Sequence, residues 1–389
     1  MQLADIVTER IQRVTQAPKV ALHEPRLDGN ELAYVRDCVE SGWVSSVGSY
    51  VDRFERELAA FVGAAHAVVV SNGTSGLHLA LQLVGVKPGD EVLVPALSFV
   101  ATANAVSHCG AHPHFVDSTA ATLGLCVESL SSYLGDIAEL RDGQCFNRNS
   151  GRRLAAVVPM HTFGHPVDMP ALQELAARWS LPIVEDAAES LGSWIGERHT
   201  GNFGHCAMLS FNGNKIVTTG GGGAIVTNDP TLAKRAKHLT TTAKLPHAWA
   251  FQHDEVAYNY RMPNLNAALG CAQLERIDGF LEAKRELTQR YLAAFADVPE
   301  VELFVERPGT RANYWLQTLI LSPQAAAQRD QILAATNGAG QMTRPVWELL
   351  TRLPMYRDCA SMPTPVAADL AARIVNLPSS PQLVTDLAA

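Results

Sequence analysis

This 389-residue sequence lacks the features that mark several classes of protein. Its seven cysteines are irregularly spaced and form no Cys-x-x-Cys pair, which argues against a disulfide framework. No apolar run reaches the length of a membrane span, and the charged first ten residues do not resemble a signal peptide. We therefore expect a cytoplasmic protein with reduced thiols, no membrane partner and no metal site.

Concentrated positive charge is also missing. The 31 Lys and Arg residues are scattered and are outnumbered by 39 Asp and Glu residues, which gives a net charge of -8. Because nucleic-acid surfaces need clustered basic residues, the sequence predicts no nucleic-acid partner. An apolar content of 47% is typical of a globular protein, and the length suffices for two domains.

Acidic residues are absent between Glu197 and Asp229, a window that contains Lys215. This lysine lies in Ser210–Gly223, which reads Ser-Phe-Asn-Gly-Asn-Lys-Ile-Val-Thr-Thr-Gly-Gly-Gly-Gly. No neighbour in sequence offers it a counter-ion, and a neutral lysine amine is what Schiff-base chemistry requires. The glycines would let the backbone approach a ligand closely. A solvated loop lysine is the other interpretation of this stretch.

A second stretch is typical of an anion site. Ala67–Val70 predicts a strand, 71–76 reads Ser-Asn-Gly-Thr-Ser-Gly, and Leu77–Leu83 predicts an apolar helix. Free amide N–H groups at the start of such a helix, with the hydroxyls of Thr74 and Ser75, would bind a phosphate. A simple helix N-cap is the alternative.

A third stretch places acids at the end of a strand. Leu181–Val184 predicts a buried strand, followed by Glu185, Asp186 and then Glu189. Open α/β sheets bind ligands at the carboxyl ends of their strands, although these acids could instead cap a surface helix. A phosphate cradle, a carboxylate and a Schiff-base lysine in this order together describe a pyridoxal 5'-phosphate (PLP) site. Asp186 would pair with the pyridinium nitrogen, and Lys215 would hold the aldehyde.

The pattern of apolar runs predicts an α/β fold with two domains. Short β-rich runs alternate with helical patterns over 67–227, which is typical of a mostly parallel sheet with crossover helices. A long helical stretch over 262–296 leads to a smaller α+β domain. The predicted units are an N-terminal helical arm (1–22), a large α/β domain (23–261), and a linking helix with the small C-terminal domain (262–389).

Two aromatic side chains are predicted to lie at strand ends. Phe99 follows the run 91–95, where its ring could stack on a cofactor or belong to the core. His161 follows the run 154–159, where it could face a ligand or be a hydrogen-bonded structural residue. The polar insertion 141–153 is predicted to be a surface loop without chemistry.

Six blocks carry a resemblance to a known family. They are Ala21–Arg26, Gly42–Gly48, Ser71–Thr74, Glu185–Glu189, Phe211–Lys215 and Tyr258–Arg261. From about Val20 to the terminus, the chain resembles the DegT/DnrJ/EryC1/StrS sugar-nucleotide aminotransferases, which are PLP enzymes of fold-type I. It shows particular likeness to the UDP-4-keto-6-deoxy-N-acetylglucosamine 4-aminotransferases of bacillosamine and legionaminic acid biosynthesis.

The resemblance implies a role for each matching residue. Lys215 would bond PLP and move protons between the donor, cofactor and acceptor carbons. Asp186 would keep the pyridinium nitrogen protonated, and Phe99 would cover the ring. Glu189 would lie near the ring hydroxyl, at a position where many relatives have glutamine. The phosphate would be bound by Gly73, Thr74, Ser75 and Ser210.

A shared active site is also implied by the resemblance. Asn259 matches a residue that family members contribute to the phosphate site of the adjacent subunit, so a homodimer with composite sites is expected. Arg261 and Arg344 would contact the sugar nucleotide, and His161 is a further candidate for that role. Glu348–Thr351 departs from the pattern, because relatives commonly have a histidine there.

The implied reaction is a ping-pong transamination. L-Glutamate would give its amino group to C4 of UDP-4-keto-6-deoxy-N-acetylglucosamine, for surface glycan or nonulosonic acid biosynthesis. GDP-4-keto-6-deoxymannose, the perosamine-type acceptor, is the alternative because its enzymes share most of these motifs. A non-catalytic binding or regulatory protein of the same fold is a third interpretation, against which the retained Lys215 and Asp186 count.

Overall fold

The computed structural model describes residues 2–385 of the chain. Its helices are α1 (Leu3–Thr15), α2 (Glu31–Ser41), α3 (Ser49–Val62), α4 (Gly73–Leu83), α5 (Val100–His108), α6 (Val127–Ile137), α7 (Met169–Arg178), α8 (Pro230–Thr240), α9 (Asn264–Leu274), α10 (Ile277–Phe295), α11 (Arg329–Gly338), α12 (Pro365–Arg373) and α13 (Gln382–Thr385). Three short 3-10 helices are Thr162–Gly164, Pro323–Gln328 and Leu350–Arg352. Within the described residues, no helix combines the length and apolar character needed to span a membrane.

The strands complete an α/β fold. They are β1 (His66–Val70), β2 (Glu91–Pro95), β3 (His112–Val116), β4 (Ala138–Arg141), β5 (Gln144–Asn147), β6 (Leu154–Val157), β7 (Val184–Asp186), β8 (Trp194–Ile195), β9 (Arg198–His199), β10 (Cys206–Ser210), β11 (Gly223–Thr227), β12 (Val301–Leu303), β13 (Thr310–Arg311), β14 (Gln317–Leu321), β15 (Arg344–Pro345) and β16 (Ile374–Leu377).

Seven strands build the large sheet in the order β1-β11-β10-β7-β6-β2-β3. A parallel bridge between Val157 and Ile183 joins its two halves, and β11 is antiparallel to both of its neighbours. Strands β2 and β11 are buried throughout, as expected for a sheet covered on both faces. The predicted mostly parallel sheet is therefore confirmed, and the carboxyl ends of β1, β6, β7 and β10 meet at one edge.

The smaller sheet, in the order β12-β14-β16-β15, forms a second layered unit. Helix α1 packs against α10 and α11, and its side chains Val7 and Ile11 are fully buried in the core of this unit. Its apolar residues recur on one face, which is why the amphipathic arm predicted from the sequence forms a helix. The arm thus packs on the C-terminal part of its own chain.

Two predicted segments differ from the structure. Strands β4 and β5 form a hairpin that extends into the insertion 141–153, where a loop was expected. Asp142 and Gly143 both have positive φ angles, of 49° and 75°, as a two-residue hairpin turn requires. The Asp-Gly pair was the sequence signal for this turn.

The predicted long helix is the second difference, because it divides at Glu275 and Arg276 into α9 and α10. Helix α9 packs on α2 and α3, and a Cβ at Gly270 would lie 2.7 Å from Phe54. Helix α10 instead contributes Leu287 and Tyr291 to the core of the small unit. We propose that the domain boundary lies between these two helices rather than before 262.

Candidate active site

An anion cradle is formed where β1 and β10 end. Helix α4 begins at Gly73, and a Cβ on this glycine would lie 3.2 Å from Ser210 Oγ. A Cβ on Gly223 would lie 2.9 Å from the backbone nitrogen of Gly73, so Gly223 has no room for a side chain and Gly73 has little. The Ser210 side chain and the backbone of β11 therefore lie close to the N-terminus of α4, which carries partial positive charge.

The residues around this cradle match the predicted phosphate set only in part. Gly73, Thr74 and Ser210 line the cavity beside the helix N-terminus. The N–H of Ser75 is donated to Asn72 Oδ1 at 2.8 Å, so that it is already used by the helix cap, and Ser75 does not line the cavity. The N-cap interpretation therefore applies to the amide of Ser75. The anion-site interpretation applies to Gly73 and Thr74, which line the cavity.

Asp186 lies at the end of β7 and is 4% exposed. Its Oδ2 accepts a hydrogen bond of 2.7 Å from Thr102 Oγ1, and its Oδ1 accepts one of 3.2 Å from the Ala188 N–H. Burial raises the pKa of this carboxyl, and the hydrogen bond from Thr102 opposes that rise. A cation beside Asp186 would therefore offset an unfavourable buried charge. Thr102 lies on α5, and sequence reasoning missed it.

Lys215 reaches the same cavity from the loop after β10. Its Nζ lies 3.2 Å from Glu189 Oε1, so the lysine without an acidic neighbour in sequence has one in space. The other oxygen of Glu189 accepts the Phe163 N–H at 2.9 Å. Burial raises the pKa of Glu189 to about 7, while the charge of Lys215 acts in the opposite direction.

Aromatic and sulfur-containing side chains form the walls. The cavity has a volume of about 330 Å³ and is lined by Phe99, Met160, Met208, Trp315 and Trp347, in addition to the polar residues above. Phe99 is 49% exposed and packs against Trp347 with ring centroids 6.1 Å apart. The position of Phe99 on a wall agrees with the predicted cover over a ring, although that role stays a prediction.

These groups fit PLP in their chemistry and arrangement. Gly73 places no side chain between the helix N-terminus and a phosphate, a cation would offset the buried carboxylate, and a lysine amine lies at the same cavity. All three groups open onto one cavity whose volume is at the small end of the range for ligand sites.

His161 does not line the cavity, contrary to the prediction that it contacts substrate. Its ring is fully buried, with Nδ1 accepting the Val167 N–H at 3.2 Å and Nε2 lying 3.0 Å from Glu185 Oε2. Because Nδ1 accepts, Nε2 carries the hydrogen and donates to the carboxylate. His161 is thus the hydrogen-bonded structural residue that was the alternative interpretation.

Three other predicted residues lie outside the cavity of their own chain. Asn259 is exposed and pairs with Thr241 in an isolated bridge. The backbone of Arg261 bridges Val70, and Arg344 is exposed with Nη1 donating to Asn337 at 3.0 Å. Their predicted contacts with phosphate and sugar nucleotide remain predictions that a second subunit or a movement of the chain would have to satisfy.

One group of side chains outside the cavity has the spacing of metal ligands among the described residues. His238, Asp254 and Glu255 bring their ligand atoms within 4.8 Å of one another. Glu255 is already paired with Arg235, and His238 Nε2 lies 2.8 Å from Asp254. These contacts within the protein account for the cluster.

Comparison with known proteins agrees with this geometry. Residues 25–389 match the DegT/DnrJ/EryC1/StrS aminotransferase family. The chain is 37% identical over 368 residues to a GDP-perosamine synthase of Vibrio cholerae. This match covers 94% of this chain and 95% of that protein. It is 36% identical over 372 residues to a GDP-perosamine synthase of Caulobacter vibrioides, with 94% of each chain covered.

Solved structures give the same result. The aminotransferase TlmJ from Streptoalloteichus hindustanus superposes with a TM-score of 0.83 at 30% identity, and 93% of each chain is covered. The family match, which extends over most of the chain, and the cavity with its lysine, carboxylate and anion cradle support each other. The chain therefore belongs to the DegT/DnrJ/EryC1/StrS aminotransferase family and is a PLP-dependent sugar aminotransferase of fold-type I.

Proposed function

We propose that this chain transfers the amino group of L-glutamate to the C4 keto group of a nucleotide-linked 4-keto-6-deoxy sugar. The observation that carries the proposal is the single cavity that brings together Lys215, Asp186 and the anion cradle. PLP, when bound, supplies a pyridine ring that acts as an electron sink, which is the chemistry that transamination requires. Asp186 would hold the ring nitrogen, and the phosphate would be held by Gly73, Thr74 and Ser210.

Lys215 would act as the acid–base group of both half-reactions. Its amine would remove the α-proton of glutamate and later deliver a proton to C4 of the sugar. Glu189 Oε1 lies 3.2 Å from this amine, and the pKa of Glu189 is raised to about 7 by burial. The lysine thus has a neighbour that can take up or release a proton near neutral pH.

We further propose that the enzyme works as a homodimer with shared sites. Asn259 lies outside its own cavity, on a segment that precedes Arg261, and it is exposed. The nearby side chains Trp249 and Phe251 are 83% and 78% exposed, which is unusual for large apolar groups of a monomer. A second copy of the chain would cover this surface and bring Asn259 to the partner's cradle.

The acceptor sugar is the finer part of the proposal. The relatives named GDP-perosamine synthase support GDP-4-keto-6-deoxymannose better than the UDP-linked sugar expected from the sequence. UDP-4-keto-6-deoxy-N-acetylglucosamine is the second candidate, because the Phe211–Lys215 block resembles enzymes that use it. The aminosugar product would serve the synthesis of a surface polysaccharide, and the cytoplasm remains our predicted location.

Absorption spectroscopy of the purified holoenzyme tests the reaction and the acceptor together. Excess L-glutamate should abolish the visible band of the lysine-bound cofactor, and the matching keto sugar should restore it. Recovery with GDP-4-keto-6-deoxymannose alone supports the first acceptor, and recovery with the UDP-linked sugar alone supports the second. The Lys215→Ala variant is the control and should lack the band. A wild-type protein that shows no such band after incubation with PLP would refute the proposal.

A further inference from the structure

Trp315 forms a second contact surface for the Lys215 amine. The Nζ atom of Lys215 lies 3.8 Å from the centroid of the Trp315 ring and 3.2 Å from Glu189 Oε1. Trp315 lines the cavity and is 5% exposed, so this contact is largely removed from water. The amine is thus contacted on two sides, by the face of an indole ring and by a carboxyl oxygen.

The indole ring also forms a hydrogen bond with the backbone next to the lysine. Its Nε1–H donates a hydrogen bond of 2.7 Å to the carbonyl oxygen of Asn214, the residue immediately before Lys215. This bond fixes the orientation of the ring relative to the loop. The ring face therefore contacts the Lys215 amine, while the ring N–H holds the backbone of the preceding residue.

Asn313 links this tryptophan to the segment that carries Glu189. The Trp315 N–H donates to Asn313 Oδ1 at 2.8 Å. The side-chain nitrogen of Asn313 donates to the carbonyl oxygens of Glu189 and Leu191, each at 2.8 Å. One buried amide thus sets the spacing between the two groups that bracket the Lys215 amine.

Lys284 binds the backbone of Trp315. Its Nζ donates to the carbonyl oxygen of Trp315 at 3.0 Å and also to that of Ser379. Lys284 is fully buried, and burial keeps the pKa of its amine well below the ordinary value. The two carbonyl oxygens thus fix the Lys284 side chain against the backbone of Trp315.

We propose that Trp315 is a positioning residue for Lys215, holding its free ammonium group between the indole face and Glu189. This role matters whenever the lysine is not joined to the cofactor, since the amine must stay within the cavity to move protons. The inference rests on the proposed function for its meaning in the reaction. The contact between Lys215 and Trp315 itself is made in the protein without cofactor.

Amine labelling of the apoprotein tests the proposal without any substrate. The rate at which an acylating reagent modifies Lys215 is followed by mass spectrometry at neutral and at strongly alkaline pH. Trp315→Leu removes the ring face. The ratio of the labelling rate at neutral pH to the rate at alkaline pH should therefore rise about tenfold relative to wild type. The alkaline rate reports access alone, because the amine there is uncharged in every variant.

Two variants separate the ring face from other effects. Trp315→Phe keeps a ring but loses the N–H bond to Asn214, and its ratio of rates should lie much closer to wild type than that of Trp315→Leu. Trp347→Leu removes another tryptophan of the same cavity, whose ring contacts are with Phe99 and Phe163, and should leave the ratio unchanged. An unchanged ratio in Trp315→Leu, or an equal change in Trp347→Leu, would overturn the proposal.

Fluorinated tryptophan at position 315 provides a second measurement if Trp315→Leu does not fold. Fluorine weakens the negative face of the ring with little change in size, so labelling at neutral pH should again accelerate. Equal rates for the fluorinated and natural proteins would overturn the proposal. Failure of the proposed function would be seen separately, as absence of amino transfer by the wild-type holoenzyme.

Discussion

Replacing Thr102 by valine tests whether Asp186 is maintained as a charged partner for the cofactor ring. Thr102 is fully buried, and valine matches its shape but cannot donate the 2.7 Å hydrogen bond to Asp186 Oδ2. The carboxylate would keep only the Ala188 N–H at 3.2 Å. Loss of a hydrogen bond to a charged group costs about 1.5–3 kcal/mol, so PLP affinity should fall roughly ten- to hundredfold.

Titration of the apoprotein with PLP, followed by visible absorption, measures this affinity. Because burial already raises the pKa of Asp186, loss of the Thr102 donor should raise it further. The affinity of the variant should then begin to fall at a higher pH than that of wild type as the solution is made more acidic.

Ser98→Ala is the matched control for Thr102→Val. The hydroxyl of Ser98 lies 2.7 Å from Thr102 Oγ1, so it is one hydrogen bond further from the carboxylate. Its removal should weaken PLP binding much less. Equal affinities of Thr102→Val and wild type would refute the reasoning, as would an equally large loss in Ser98→Ala.

Three further predictions concern other parts of the site. Burial raises the pKa of Glu189 from 4.5 to about 7, so between these pH values the folded apoprotein retains a proton that the unfolded chain releases. The free energy of unfolding should therefore fall by about 3 kcal/mol as the pH rises from 4.5 to 7. Thermal unfolding should show no such fall in Glu189→Gln; parallel pH profiles would contradict this. Gly223→Ala places a Cβ 2.8 Å from Leu209 O and should weaken PLP binding about tenfold in a PLP titration, whereas Gly221→Ala, with open space around it, should bind normally. Mixed Lys215→Ala and Asn259→Ala subunits should recover about one quarter of wild-type activity in a transamination assay, since half the dimers contain one complete site; no recovery after subunit exchange would exclude a shared site.

Local sequence patterns were sufficient for much of the fold and for the principal groups of the site. Apolar β-rich runs predict the seven strands of the large sheet. The three stretches that indicate a PLP site, 71–76, 185–189 and 210–223, each lie at the end of one of these strands. Lys215 and Asp186 could be predicted as site groups because their chemistry is tied to the loop and the strand in which they lie. The Asp142–Gly143 turn was also readable, although it was interpreted as part of a loop.

Contacts between distant parts of the chain could be decided only by the tertiary structure. The hydrogen bond from Thr102 to Asp186 crosses 84 positions, and the Lys215–Glu189 pair crosses 26. His161 shows the same limit, because its direction depends on Glu185 of a neighbouring strand. Periodicity places such a residue at a strand end but does not choose which neighbour its side chain meets.

The sequence by itself determined the class of fold and the chemistry that this protein can perform, because strand patterns, glycines and reactive side chains are local properties. The tertiary structure decided how those groups are charged and held. Trp315, which lies just before β14, reaches Lys215 from a distant part of the chain, and burial lowers the pKa of its neighbour Lys284. Packing and desolvation depend on everything that surrounds a residue, so no single stretch of sequence contains them.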